Sequence, residues 1–234
     1  GKIGDPRAVE PLIAAFKDKD LELYAMDRAV AVKALGLLGD ARSIETLAGA
    51  LKDRYPQVGV SAAFALGLLG DSRAVEPLIV ALKDSQLHLD VHKSAAEALE
   101  KLGWQPGNDE DGAWYWATKQ NWAKCIAIGA PAVMVLASAL KDIRWQVRLA
   151  ATETLEQIGG ADVVPSLIAA LDDSSWKIRQ VAVRALVAIY QGNRLDPQTN
   201  QQILALRAKI ATSHKDNVSC NYHFDQGIGM DFPL

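Results

Sequence analysis

The chain has 234 residues, half of them hydrophobic, and a formal net charge of -3; that length accommodates one large domain or two small ones. Lys and Arg are scattered rather than gathered into a basic block, which argues against nucleic acid as a partner, and no apolar run reaches the roughly 18 residues a membrane span needs. The two cysteines, Cys125 and Cys220, make no disulfide framework, so a reducing, cytoplasmic setting is expected.

The opening GKIG reads as the last residues of a helix whose body lies upstream, and the sequence is expected to be a piece of a longer chain. The phrase that follows, GDPRAVEPLIAAFKD at 4–18, returns as GDARSIETLAGALKD at 39–53 and GDSRAVEPLIVALKD at 70–84. Looser copies are GAPAVMVLASALKD at 129–142 and GGADVVPSLIAALDD at 159–173. The closing Asp residues (18, 53, 84, 142, 173) are spaced 35, 31, 58 and 31 apart, and the column Val9, Ile44, Val75, Val133, Val164 has the same spacings. The unit is therefore 31 residues, with 4 extra near LELYAMDR, 2 near HLDVHK and 25 after Leu102. A second column, Leu35, Leu66, Leu99, Leu155 and Leu186, runs through the other half of each unit.

Each unit reads as two helices. In the first, Val75, Leu78, Ile79 and Leu82 recur at helical spacing. Pro11 and Pro77 lack an N–H and are tolerated only near a helix start, which places the starts close to Ala8 and Ala74. In the second, Val147, Ala151, Leu155 and Ile158 share a face, and Gly39, Gly70, Gly103 and Gly159 are placed to cap helix ends. One such pair cannot bury its apolar face alone, whereas stacked pairs share a continuous core. The predicted fold is all-α: a right-handed α-solenoid of about five to six antiparallel helix pairs over residues 1–211, interrupted by an insert at 104–129. An irregular tail, 212–234, is expected to pack on the last repeat through Tyr222, Phe224, Ile228 and Phe232.

The pattern GDxRAVEPLIxALKD, followed by W-x-V-R-x-A-A-x-x-x-L at 145–155, resembles the short HEAT-like repeat named for the phycocyanobilin (PBS) lyase subunits in which it is common. The resemblance runs from residue 1 to about 190. It implies a scaffold or adaptor in most cases, and a bilin lyase subunit acting on phycobiliproteins as the alternative.

The insert holds four of the six tryptophans: Trp104, Trp114, Trp116 and Trp122. Its first half is turn-forming and its second half is predicted to be one helix from about Ala113 to Ile128, with Tyr115, Trp122 and Ile126 on one face. Its rings either anchor the insert to the repeats or, with Trp114 or Trp116 on the far face, meet a partner protein. Trp145 and Trp176 are equivalent by position, as are Arg148 and Arg179; Arg28 joins the arginine column and His92 replaces it in the third unit. Those arginines either pair with aspartates such as Asp142 in a ladder between turns, or form with the tryptophans a concave stripe for a partner's carboxylates. His88 and His92, four apart, can face one way on a helix.

In the tail, His214, Asp216, Cys220, His223 and Asp225 are reasonable zinc-ligand types at a spacing that matches no structural zinc motif. A metal switch there is a third functional reading, and no other cofactor is expected. The leading expectation is a non-enzymatic scaffold that binds another protein through its concave helix face and aromatic insert.

Overall fold

The computed structural model describes residues 5–17 and 24–192. Among them are twelve α-helices and no strand. They are α1 (Val9–Lys17), α2 (Ala25–Leu38), α3 (Ile44–Ala50), α4 (Pro56–Leu69), α5 (Val75–Lys83), α6 (Leu89–Lys101), α7 (Glu110–Thr118), α8 (Trp122–Ile128), α9 (Val133–Ala139), α10 (Trp145–Ile158), α11 (Val164–Ala170) and α12 (Trp176–Gln191). The helix pairs are those of an α-solenoid. The chain divides into two compact units, residues 1–154 and 155–234, with the division inside α10.

The repeated phrase has a local cause at each end. In GD-x-R, the carboxylates of Asp5, Asp40 and Asp71 each accept the backbone N–H two residues on, at 2.9 Å, and so cap a short 3-10 turn leading into the first helix. The Arg at that position also donates its guanidinium to the same carboxylate, through Arg7, Arg42 and Arg73. At the other end, the closing aspartates accept the N–H two residues further on: Tyr55 to Asp53 at 3.0 Å, Gln86 to Asp84 at 3.1 Å, Arg144 to Asp142 and Ser175 to Asp173 at 2.8 Å. These are Asx turns, which reverse the chain between the two helices of a repeat. Gly39 and Gly70 then end α2 and α4 at φ 68°, a left-handed conformation that favours glycine.

The hydrogen bonds from Arg42 and Arg73 hold the Asp40 and Asp71 carboxyls down at about 2. A depressed carboxylate pKa contributes stability that is complete above the unfolded value near 3.9 and is lost as pH falls toward 2. Carboxyl NMR titration should therefore find both groups ionised at pH 3, and Arg73→Ala should return Asp71 toward the ordinary range while leaving Asp40 low.

In the first unit the second helices pack directly on one another in the order α2, α4, α6, and α1, α3 and α5 back them. Small residues set the spacing. A Cβ on Gly36 would overlap Ala65 of α4, and one on Gly67 would lie 3.0 Å from the Cα of Ala98 on α6. Leu35, Leu66 and Leu99 are fully buried between the layers, with Val9, Leu47, Leu78 and Leu82. In the second unit α11 packs on α12, burying Val164, Leu167, Ile178, Ala182 and Leu186.

The insert departs from the predicted single helix. Gln120 has φ 55°, Asn121 caps a new helix by accepting the Lys124 N–H at 3.2 Å, and α7 and α8 form separately. Nor does α7 stand apart from the repeats. It packs against α5 on one side and α9 on the other, and so completes the first-helix layer. A Cβ on Gly112 would run into the backbone of Gly107, so glycine there lets the loop before α7 fold against its first turn.

Candidate functional site

The three second helices of the first unit each present one stripe to solvent. By the spacing of the buried leucines, the stripes are Met26, Val30, Lys33, Leu37 on α2; Gln57, Ser61, Phe64, Leu68 on α4; and Asp90, Ser94, Glu97, Lys101 on α6. Positions four, three and four apart return to one side of a helix, so the twelve residues form a grid on the side away from α1, α3 and α5. The α2 stripe is the most apolar: Met26 is 74 % exposed and Leu37 64 %. Helix α4 carries no charged residue over its length and leaves Phe64 38 % exposed. The α6 stripe is polar.

Where α4 meets α6 the surface dips into a cavity of about 320 Å³. Val60, Phe64 and Ala98 give it an apolar floor; Ser61, Ser94, Lys33, Glu97 and Lys101 form the rim. The Lys101 ammonium lies 4.4 Å from the centre of the Phe64 ring, an attraction of charge for the ring's negative face. A second, larger depression of about 900 Å³ lies along the loop edge between Leu51–Pro56, Asp84–Val91 and Asp142–Arg144. Two ion pairs lie in it: Lys52 pairs with Asp84 at 2.9 Å and Arg144 with Asp142 at 2.7 Å. Those cations hold the Asp84 and Asp142 carboxyls below the usual range.

The arginine column turns toward the loops. Arg148 donates to the carbonyls of Asp142 and Ile143 at 2.9 and 3.2 Å, and Arg179 to those of Asp173 and Ser174 at 2.7 and 3.0 Å. The carboxylate of Asp142 is bound by Arg144, which shares its Asx turn. Arg28 makes one rung of an Asp–Arg ladder: it donates to Asp53 of the next repeat at 2.9 and 2.5 Å and to the Phe16 carbonyl at 3.3 Å. His92 takes the arginine's part in the third repeat, its Nε2 lying 3.0 Å from the Asp84 carbonyl. The second repeat has Gly59 in this column, unnoticed in the sequence; a Cβ there would lie 2.8 Å from the Leu51 carbonyl oxygen.

His88 does not face the same way as His92. Its Nδ1 accepts the Asp90 N–H at 3.3 Å and caps α6. Trp145 and Trp176 open α10 and α12 and are 41 % and 51 % exposed. Trp104, Trp114 and Trp116 are half-buried against the core of the first unit. Tyr115 is buried between Trp104 and Trp116, edge to face at 5.5 and 4.9 Å, and its hydroxyl donates to Glu100 at 2.6 Å. Burial in the insert pushes the Cys125 thiol up to about 11. A Cys220→Ser chain should accordingly react with a thiol reagent only after denaturant is added, since the thiolate is the reacting form.

His214, Asp216, Cys220, His223 and Asp225 lie outside the described residues. Among those that are described, no group of three or more His, Cys, Asp and Glu side chains could hold a metal ion. No helix among them is long and apolar enough to cross a membrane.

Comparison with known families matches the PBS lyase HEAT-like repeat at residues 1–18, 27–53 and 58–84, and the HEAT-repeat family at 110–188 and 133–209. The chain belongs to the HEAT-repeat proteins. The three PBS-type matches end at Asp18, Asp53 and Asp84, the closing aspartates of the first three copies, and the HEAT match takes in α7 and α8. No curated protein matches the sequence significantly. Among solved structures, this HEAT-repeat chain is similar to the complex of CpcE and CpcF of phycocyanin lyase from Nostoc sp., at 24 % identity and a TM-score of 0.37 over 77 % of this chain and 76 % of that one. It is also similar to human deoxyhypusine hydroxylase, at 22 % identity and a TM-score of 0.37 over 89 % and 86 %.

Proposed function

We propose that the protein is a non-enzymatic scaffold that binds another protein through the outward stripes of α2 and α4. One observation carries this reading: Met26, Val30, Leu37, Phe64 and Leu68 are large, apolar and exposed on neighbouring helices. Contiguous apolar surface of this kind marks interaction sites, whereas single exposed side chains do not. Trp114, Trp116, Trp145, Trp176, Arg148 and Arg179 are secondary candidates for contact, and the setting we assign is the cytoplasm.

The test is recovery of a partner from a lysate of the source cells by the wild-type chain and by a Leu37→Asp/Phe64→Asp variant with an unchanged circular dichroism spectrum. Loss of the recovered protein in the variant is the expected result; equal recovery by both chains overturns the reading. A second reading, a bilin lyase subunit, is favoured by the PBS lyase HEAT-like repeats at residues 1–84. It predicts a shifted visible absorption band when a bilin and an apo-phycobiliprotein are mixed with the chain, and an unchanged spectrum ends it.

A further inference from the structure

We propose that the first turn of α6 is a proton-operated latch. As the solution is acidified from about pH 8 to about pH 5, protonation of His88 removes the nitrogen that caps the helix and turns the ring onto the Asp90 carboxylate. The Asp84–Val91 wall of the loop-edge depression loosens, while His92 holds through the same change.

The first observation is the chemistry of the cap. Helix α6 starts at His88, whose Nδ1 lies 3.3 Å from the Asp90 N–H. An N–H needs a lone pair to bind, so the ring is the neutral tautomer with its proton on Nε2. Asp109 and Asn121 cap α7 and α8 through side-chain oxygens, which accept whether or not a carboxyl is ionised. A protonated imidazole has N–H at both nitrogens and accepts nothing. The α6 cap therefore exists in only one charge state of its own residue.

The second is where the new charge goes. The Asp90 carboxylate lies 3.4 Å from the same Nδ1. In the neutral ring these are two acceptors with no proton between them; in the cation Nδ1–H donates to the carboxylate. The charged groups that share the depression with His88 come from the α3–α4 loop (Lys52, Asp53, Arg54), from its own loop (Asp84) and from the α9–α10 loop (Asp142, Arg144). Lys52 binds Asp84, Arg144 binds Asp142, Arg28 binds Asp53, and Arg54 lies 4.7 Å over the Tyr55 ring. Asp90 is thus the carboxylate left to take the imidazolium. A cation at this end of α6 also opposes the helix dipole. His88 and Asp90 are both more than half exposed, so their pair is screened and offsets the lost cap only in part.

The third is His92, one turn on. Its Nε2 lies 3.0 Å from the Asp84 carbonyl, and a carbonyl only accepts, so Nε2 carries a proton in both charge states. That contact survives acidification, as do those of Arg148 and Arg179, which stand at the equivalent positions and hold their own loop carbonyls. A protonated His92 also stands near the Asp84 carboxylate and is attracted to it. The loosening is therefore confined to the stretch between the two anchors. Leu87 and Leu89 lie there and line the depression, whose shape follows the proton.

The experiment uses the full chain, nitrogen-15 labelled. Imidazole spectra should show neutral His88 with Nδ1 unprotonated, and the Asp90 amide signal should shift with the same midpoint as the His88 ring. Protection of the Asp90 and Val91 amides, corrected for the intrinsic effect of pH on exchange, should fall at least about three-fold between about pH 8 and about pH 5.5. His88→Asn supplies a cap that does not titrate in this range and should hold the protection constant; His92→Gln should leave the fall in place.

Three results overturn the inference. One is a neutral His88 that carries its proton on Nδ1. Another is an Asp90 amide indifferent to the His88 titration. The last is a fall in protection that persists in His88→Asn, since another group would then be responsible.

Discussion

Arg28→Ala should be among the most damaging single substitutions in the first unit, costing about 3–5 kcal/mol, as removal of one partner from a buried ion pair does. The Asp53 side chain is only 4 % exposed, and Arg28 binds it through two guanidinium nitrogens while a third reaches the Phe16 carbonyl. Removing the arginine strands a carboxylate that water reaches poorly, and it leaves a carbonyl of the first repeat without its donor. The loss falls between repeats one and two, so it should separate them and not merely soften one. The opposite deletion, Asp53→Asn, should cost less, because Arg28 is the more exposed partner, keeps the Phe16 carbonyl, and can be hydrated. Equilibrium denaturation of the two variants measures the difference; equal losses would mean that the pair is solvated and that the salt bridge carries little.

Leu66→Ala should cost about 2–5 kcal/mol, the range for truncating a fully buried leucine whose surroundings cannot collapse. Leu66 lies in the last turn of α4, which has α2 on one side, α6 on the other and α3 behind it. The seams at Gly36–Ala65 and Gly67–Ala98 already hold backbones close together, so α4 has little freedom to close the cavity from either side. Leu68, two residues on, faces solvent. Leu68→Ala should cost less than Leu66→Ala, by about 1 kcal/mol or more, since Leu68 is 42 % exposed and its truncation opens no enclosed cavity. If both substitutions destabilise equally, the outward stripe is not a surface and the proposed binding face has been misplaced.

The two leucines also mark how far the sequence could be read. The column Leu35, Leu66, Leu99, Leu155, Leu186 was visible as a period, and all five are buried. The glycine caps were legible for the same reason, because they end a pattern that repeats. The closing aspartates were visible as a column too, but their work was not: an Asx turn depends on a backbone N–H two residues away, which spacing alone does not display. Helix α7 was expected as part of one longer helix, since Ala113 to Ile128 holds no proline or glycine to interrupt it. The break at Gln120 and Asn121 lets α7 lie between α5 and α9, and tertiary packing there overrides local propensity.

The candidate face shows the same division. Leu37 and Leu68 stand in apolar runs, GLL and GLL, in which every residue looks equally suited to the core. Which leucine of each run turns outward depends on the rotation of the helix, and that rotation is held by Gly36 against Ala65 and by Gly67 against Ala98. The arginine column likewise announced a shared role without its targets, which include loop carbonyls for Arg148 and Arg179 and the Asp53 carboxylate for Arg28.

By itself the sequence determined that the chain is helical, where its repeats begin, and which column of leucines is buried. Those properties follow from a 3.6-residue period within one helix and from burial that every copy needs. Only the tertiary structure decided which exposed residues of different helices become neighbours. Lys33, Phe64, Glu97 and Lys101 lie about 30 or more residues apart from helix to helix, and they meet because small residues at the seams let the second helices pack side by side.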